Sequence, residues 1–221
     1  MGGLAGALAI STYFSSRIAL WRSEVSVPAR TSADMRPDSS ELDPRFRPVL
    51  VLFSLVSLAS AAFTTTVVPA LVDRGLSVTT AALFGGLMGL MQLPGRALVM
   101  NGALATSPSR LLVVSLMLQA GGFAALVVAR TPVPVGAGIA VFALGAGLMT
   151  LIRPHLVQTV FSMERAGYLN GLVARSQQLA RAAGPVLAVG VASVVGYGAV
   201  FGAFASALAV LAIAWHVSVD L

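Results

Sequence analysis

One pattern of polar side chains within apolar sequence occurs twice in the chain. Its members are Gly86, Leu87, Gln92, Arg96 and Ala97 in the first copy and Gly171, Leu172, Gln177, Arg181 and Ala182, 85 residues later, in the second. Residues four apart share one face of a helix, so each glutamine lies one turn from its arginine. Arginine within an apolar span is costly and usually faces a bundle interior or a water-filled cavity. The two copies therefore indicate a pathway for a polar solute.

Two interpretations of the repetition are open. Five matches over twelve positions can arise by chance in a chain this rich in Gly, Ala and Leu. Duplication is favoured by the orientation of the copies, argued below, because they cross the membrane in opposite directions. Inverted repeats of this kind are typical of secondary transporters.

The composition predicts a polytopic, all-α membrane protein. Of the 221 residues, 57% are hydrophobic and 10% are charged, and the mean hydropathy is +0.90. These values exclude an ordinary soluble domain and make the lipid bilayer the first expected partner. The net charge of +6 could indicate a nucleic-acid binder, but the basic residues are scattered at span ends, without interleaved aromatics. We expect a multi-pass protein of the cell membrane and no nucleic-acid partner.

The sequence offers no motif that would be evidence for an enzyme. It contains no cysteine, which excludes disulfides, thiol nucleophiles and cysteine metal sites. His155 and His216 stand at the ends of different spans, without a partner at ligand spacing. No Gly-rich phosphate loop, nucleophile elbow or HExxH pattern occurs. We therefore expect no enzyme activity, no cofactor and no metal.

Hydropathy divides the chain into three parts. Residues 1–20 are predicted as a transmembrane span, residues 21–48 as a charged cytoplasmic linker, and residues 49–221 as a six-helix bundle. The spans of the bundle are predicted at about 49–72, 78–100, 110–129, 133–152, 168–195 and 199–217. The fifth of these six carries Asn170, Gln177 and Arg181 on one face. That face must be buried against protein or water.

The distribution of arginine predicts the orientation. Short cytoplasmic loops are enriched in basic residues. If the linker is cytoplasmic, only Arg74 and Arg130 lie on the outer side of the membrane. The other twelve arginines then lie toward the cytoplasmic side, and they are Arg17, Arg22, Arg30, Arg36, Arg45, Arg47, Arg96, Arg110, Arg153, Arg165, Arg175 and Arg181. The two copies of the pattern then run in opposite directions.

Over its whole length the chain resembles the carboxyl-terminal part of a major facilitator superfamily transporter. The local resemblance is carried by residues 90–96 (LMQLPGR), similar to the end of the family's eighth helix, and by residues 167–171 (GYLNG) with 181–185 (RAAGP), similar to its eleventh. The loop 101–109 lacks the aspartate of the family's loop motif, which leaves any latch built on that carboxylate without its acid. The resemblance implies a six-helix half made of two inverted three-helix repeats, preceded by the end of the sixth helix and the central loop.

The function that the resemblance implies is transport of a small molecule by alternating access, together with a complementary N-terminal half. The expected pathway residues are Gln92, Arg96, Asn170, Gln177, Arg181 and Arg153. Arg96 and Arg153 could instead extend to lipid phosphates, because each lies near a cytoplasmic span end. The alternative function is a truncated, non-transporting membrane protein or a helical scaffold for a partner. An arginine suits an anionic solute and a Gln/Asn face suits sugars or drugs, so the residues leave the substrate open.

The predicted orientation can be tested with single cysteines placed at Ser39 and at Gly75. The first lies in the linker and the second in the turn after the first span of the bundle. An impermeant thiol reagent should label them from opposite sides of the membrane. Labelling of both from one side would show the orientation to be wrong.

Overall fold

The computed structural model describes residues 46–100, 107–160 and 163–219. The predicted span 1–20 and the linker as far as residue 45 lie outside these residues. Every regular element in the described part is an α-helix, and the helices are α1 (Phe46–Asp73), α2 (Val78–Met100), α3 (Pro108–Val128), α4 (Pro132–Val160), α5 (Met163–Val195) and α6 (Tyr197–Val219). All six are long and apolar enough to cross a membrane. The chain is therefore an all-α, multi-pass membrane protein, as its composition predicts.

The helices extend beyond several predicted boundaries. The first helix begins at Phe46, inside the predicted linker. The largest difference is in α4, where residue 152 was expected to be the last but the helix continues through Pro154 to Val160. The fifth helix begins at Met163, so residues 164 and 165 lie in its first turn instead of a loop. Proline is a poor stop signal in a membrane helix, because neighbouring groups can satisfy the carbonyl that it leaves without a donor.

Internal prolines occur in four helices, at Pro69 in α1, Pro94 in α2, Pro154 in α4 and Pro185 in α5. Pro69 and Pro154 are 85 residues apart, the spacing of the two polar patterns. From position 56 to 97, which covers most of α1 and α2, 13 of 42 residues are identical to the residue 85 positions later. The repetition thus extends over two helices on each side, well beyond the five matches of the polar pattern.

Helix pairs pack in an arrangement that matches this spacing. The first helix packs along α5, and α2 packs along α4. When α1–α3 are matched with α4–α6, these two pairs correspond to each other. Both contain close backbone approaches at small residues: Gly184 lies against Ala61, and Gly147 lies against the carbonyl of Gln92. Small residues permit such approaches where lipid provides no hydrophobic force between helices.

Aromatic side chains form the centre of the bundle. Phe63 of α1 stacks on Phe142 of α4 with ring centroids 3.7 Å apart, and both rings meet Phe123 of α3 edge-on at 5.1 Å. Phe201 of α6 lies 5.9 Å from Phe123. All four side chains are buried. This cluster joins α1, α3, α4 and α6 and fixes where the remaining two helices can pack.

Exposure is uneven among the helices. About half of the membrane segment is buried in α1, α3 and α4, but less than a quarter in α2, α5 and α6. Beyond Arg110 in the first turn, the exposed residues of α3 form one apolar stripe at helical spacing, namely Val114, Met117, Gly121, Ala124 and Val128. Such a stripe suits lipid. The exposed side of α5 is mixed, because Arg175, Gln178 and Arg181 are exposed in its first part and apolar residues such as Val186 and Val194 in its second.

The two arginines assigned to the outer side lie at one end of the bundle. Arg74, in the turn after α1, donates from Nη1 to the carbonyl of Ala129 at 3.5 Å. Burial lowers the pKa of Arg74, the neighbouring charge of Arg130 lowers it further, and Asp73 opposes both. Gly75 in this turn has a φ of 90°, so the exposed Thr131 at the same end is a less strained position for a labelling cysteine.

Gly147 should be the more sensitive of two glycines to substitution by alanine. A Cβ at Gly147 would overlap the carbonyl oxygen of Gln92, whereas a Cβ at Gly89 of α2 meets open space. We expect Gly147→Ala to reduce the free energy of unfolding by about 1–3 kcal/mol through overpacking. Gly89→Ala should be neutral or stabilising by up to about 1 kcal/mol. Unfolding of the purified protein in detergent would measure both, and equal effects would contradict the packing of α2 on α4.

Candidate functional site

A polar cavity of about 260 Å³ lies between α1, α4 and α5. It is lined by Val56, Ser57 and Ser60 of α1, by Ala146, Met149, Thr150 and Arg153 of α4, and by Gln177 and Arg181 of α5. Three of the six predicted pathway residues thus meet in one place. Larger grooves exist, but one of about 750 Å³ follows apolar residues of α2 alone, and one of about 710 Å³ lies where α3 begins and α6 ends. The smaller cavity is the candidate site because charged and polar side chains line it, and not because of its volume.

Gln177 connects two of the helices around this cavity. It lies on α5 with only 7% of its surface exposed. Its Oε1 accepts a hydrogen bond of 2.5 Å from Nη1 of Arg153 on α4. A buried amide needs such a partner, because an unsatisfied one costs about 1–3 kcal/mol. Arg153 therefore turns inward to the cavity, and the interpretation in which it only extends to lipid phosphates is not needed.

Arg181 lies one turn beyond Gln177 and lines the same cavity. It is exposed and has no hydrogen-bond or ion-pair partner among the described residues. It is also the middle residue of the membrane segment Gly167–Val195. At a rise of about 1.5 Å per residue, either end of that segment is about 21 Å away. Its charge is thus placed at the depth where contact with lipid is least favourable.

Oxygen atoms complete the lining. Ser57, Ser60 and Thr150 contribute hydroxyl groups, and Oγ1 of Thr150 donates to the carbonyl of Gly147 at 2.8 Å. Pro154 has no N–H to donate to the carbonyl of Thr150 four residues earlier, and Pro185 has none for Arg181. The cavity therefore combines two guanidinium groups with hydroxyl donors and backbone acceptors.

The first copy of the pattern forms a separate pair. Arg96 donates from Nη2 to Oε1 of Gln92 at 3.5 Å within α2, and neither residue lines the cavity. Nε of Arg96 is buried without a hydrogen-bond partner among the described residues. The difference from the second copy has a cause in the sequence: the residue 85 positions before Arg153 is Val68. No arginine of α1 can compete for Gln92, so Gln92 stays with its own Arg96.

Asn170 lies outside the cavity, although it shares a face of α5 with Gln177. It stands about two turns earlier on the helix, and its Oδ1 is buried without a partner among the described residues. The structure thus gathers Arg153, Gln177 and Arg181, pairs Gln92 with Arg96, and leaves Asn170 apart.

Two sets of polar residues were missed by the sequence analysis. The cavity hydroxyls of Ser57 and Ser60 are one set, and their three-residue spacing on α1 was the available signal. The other is Ser115 and Gln119 in α3, four apart and fully buried. Oγ of Ser115 donates to the carbonyl of Gly145 at 2.7 Å, and Nε2 of Gln119 donates to Oγ of Ser115 at 3.2 Å. This second set joins α3 to α4 away from the cavity.

The cavity has no acidic neighbour in the described structure. Among the residues whose side chains are described, Asp73 is the only acid, and it lies in the last turn of α1, beside Arg74. In those ranges no group of His, Cys, Asp and Glu could hold a metal ion. The charges of Arg153 and Arg181 are thus not balanced by any described carboxylate.

The bond between Arg153 and Gln177 can be tested by replacing either of two adjacent glutamines. Gln177→Leu should reduce the free energy of unfolding by about 1–3 kcal/mol, because it removes the acceptor of a partly buried guanidinium. Gln178→Leu is the matched control, since Gln178 is exposed on the same helix and should change stability by less than about 0.5 kcal/mol. Both values can be measured by unfolding in mixed detergent micelles, and a larger effect at Gln178 would refute this assignment.

No protein-family model, no curated protein and no solved structure matches this chain. Its function is therefore inferred from the residues and geometry of the cavity.

Proposed function

We propose that the chain forms one half of a transporter of the major facilitator type, in the cell membrane. In this proposal the six helices carry a small polar solute across the bilayer by alternating access against a complementary bundle. The observation that carries the proposal is the position of Arg181, exposed on a polar cavity at the middle of a membrane segment. An arginine facing lipid at that depth costs at least about 2.5–3.5 kcal/mol. Water or a second protein surface must therefore meet this face.

The exposed side of α5 supports a second bundle. Arg175, Gln178 and Arg181 recur at three-residue spacing along it, and all three are exposed. A polar stripe of this length is unsuited to lipid, in contrast to the apolar stripe of α3. The rest of the chain covers α2 and α5 least, which leaves room for a second bundle beside the polar stripe. A complementary bundle against α2 and α5 would cover both and enclose the cavity between the two halves.

The repeated sequence supports the same architecture. Thirteen identities at a constant spacing relate α1–α2 to α4–α5, and the packing of α1 on α5 corresponds to that of α4 on α2. Three spans per repeat give the two repeats opposite orientations. Pro69 and Pro154 occupy corresponding positions of the two repeats, and prolines at corresponding positions within hydrophobic segments are a pointer to a transporter's binding site. Pro154 lies within one turn of Thr150 and Arg153, both of which line the cavity.

The rival function is a helical scaffold or a non-transporting remnant. A scaffold would bury the polar face of α5 against a partner and exclude water from it. A transporter must admit water to the cavity from each side in turn. Access of water to the cavity therefore distinguishes the two functions, and it can be measured without knowing the substrate.

Cysteines at Ser60 and at Met117 provide this measurement. Ser60 lines the cavity, and Met117 belongs to the apolar stripe of α3. In proteoliposomes that contain the chain together with the complementary half, an impermeant maleimide should modify Ser60→Cys from either side of the membrane. Met117→Cys should stay unmodified, because the thiolate that reacts does not form in lipid.

Modification of Ser60→Cys from one side only would rule out alternating access. Protection from both sides would favour the scaffold. Modification of Met117→Cys at the same rate as Ser60→Cys would show that the stripe of α3 does not face lipid.

A further inference from the structure

We infer that the cavity between α1, α4 and α5 binds a small dianion through carboxylate or phosphate oxygens. This inference rests on the transport function proposed above and names its substrate class. It is carried by the two guanidinium groups of Arg153 and Arg181, which line one cavity without a described carboxylate beside them.

Neither arginine has an acidic partner among the described residues. Arg153 donates to the amide of Gln177, which is neutral, and Arg181 has no partner among the described residues. Charged groups within a membrane protein usually pair with an opposite charge or with carbonyl groups. Two like charges on one small cavity also repel each other, and the repulsion increases in surroundings of low dielectric constant. A ligand with two negative charges removes both costs at once.

The remaining lining suits the oxygen atoms of such a ligand. The hydroxyls of Ser57 and Ser60 can donate hydrogen bonds to oxygens that the guanidinium groups do not reach, while that of Thr150 already donates to the carbonyl of Gly147. Arginine itself presents a planar set of donors that fits carboxylate and phosphate in a bidentate manner. The cavity volume of about 260 Å³ lies below the range of about 300–1,000 Å³ that is typical of drug-sized ligands. The volume thus favours a small solute over a drug-sized one, and the two guanidinium groups favour an anion over an uncharged sugar.

The depth of the site argues against a lipid headgroup as its occupant. Arg181 is the middle residue of its membrane segment, about 21 Å from either end, whereas headgroups lie at the ends of a span.

The first copy of the pattern gives an internal comparison. Arg96 is bonded to its own Gln92, so only the second copy presents a guanidinium without a partner. The site is therefore specific to the second copy.

Binding can be tested on the purified full chain in nanodiscs of zwitterionic phosphatidylcholine. Inorganic phosphate and succinate are the probes, and succinamide is the uncharged analogue of succinate. Calorimetric titration should show binding of phosphate or succinate and none of succinamide. Arg181→Gln should weaken binding at least about tenfold, which corresponds to about 1.4 kcal/mol. Arg96→Gln is the matched control and should change the Kd less than about twofold.

A variant that keeps the charge separates loss of the site from loss of the fold. Arg181→Lys should bind phosphate more tightly than Arg181→Gln while both melt within a few degrees of the parent chain. Equal binding by Arg181→Lys, Arg181→Gln and the parent would overturn the inference. So would binding of succinamide as tight as that of succinate, or failure of both phosphate and succinate to bind. Repeating the titration with anionic phosphatidylglycerol tests the lipid source, and competition by that lipid would assign the site to a headgroup and overturn the proposal.

The anion site and the transport function can fail independently. If phosphate or succinate binds while Ser60→Cys reacts from one side only, the anion site stands and alternating access fails. If Ser60→Cys reacts from both sides while neither anion binds, transport stands and the substrate class proposed here is wrong.

Discussion

A positive charge at the middle of a membrane helix constrains most of what surrounds it. Arg181 lies at the midpoint of the membrane segment of α5 and cannot reach water at either end. The side of α5 that carries it must therefore meet protein or water, and Gln178 and Arg175 extend that side along the helix. The rest of the chain covers little of α5. The charge of Arg181 thus requires a polar cavity or a covering protein surface beside α5.

The fourth helix connects this charge to the fold. At Gly147 its backbone packs against α2, and two turns later Arg153 bonds to Gln177 of α5. Phe142, one turn before Gly147, stacks in the aromatic centre of the bundle. Small residues are required where helices approach so closely, because lipid supplies no hydrophobic force to hold them together. One helix thus positions both copies of the polar pattern, and any movement of α4 relative to α5 would act on Arg153 directly.

The sequence predicts where the helices lie along the chain better than it predicts which side chains of different helices contact each other. Hydropathy and length are enough to predict the six spans, because an apolar stretch of this length satisfies its backbone hydrogen bonds in a bilayer by forming a helix. The end of α4 could not be predicted from Pro154, because a membrane helix tolerates proline. The pairing of Gln177 with Arg153 instead of Arg181 also escaped prediction. Spacing along a helix shows which residues share a face, but not which side chain of another helix will reach that face first.

Two copies that share five of twelve residues can take different roles for this reason. Both copies of the pattern place an arginine one turn after a glutamine, and in α2 that arginine takes the glutamine as its partner. In α5 the glutamine is already occupied by Arg153, whose counterpart in the first repeat is Val68. Arg96 thus bonds to the glutamine of its own helix, whereas Arg181 has no partner among the described residues. The binding role proposed for the second copy thus depends on the neighbouring helix α4 as well as on the residues of α5.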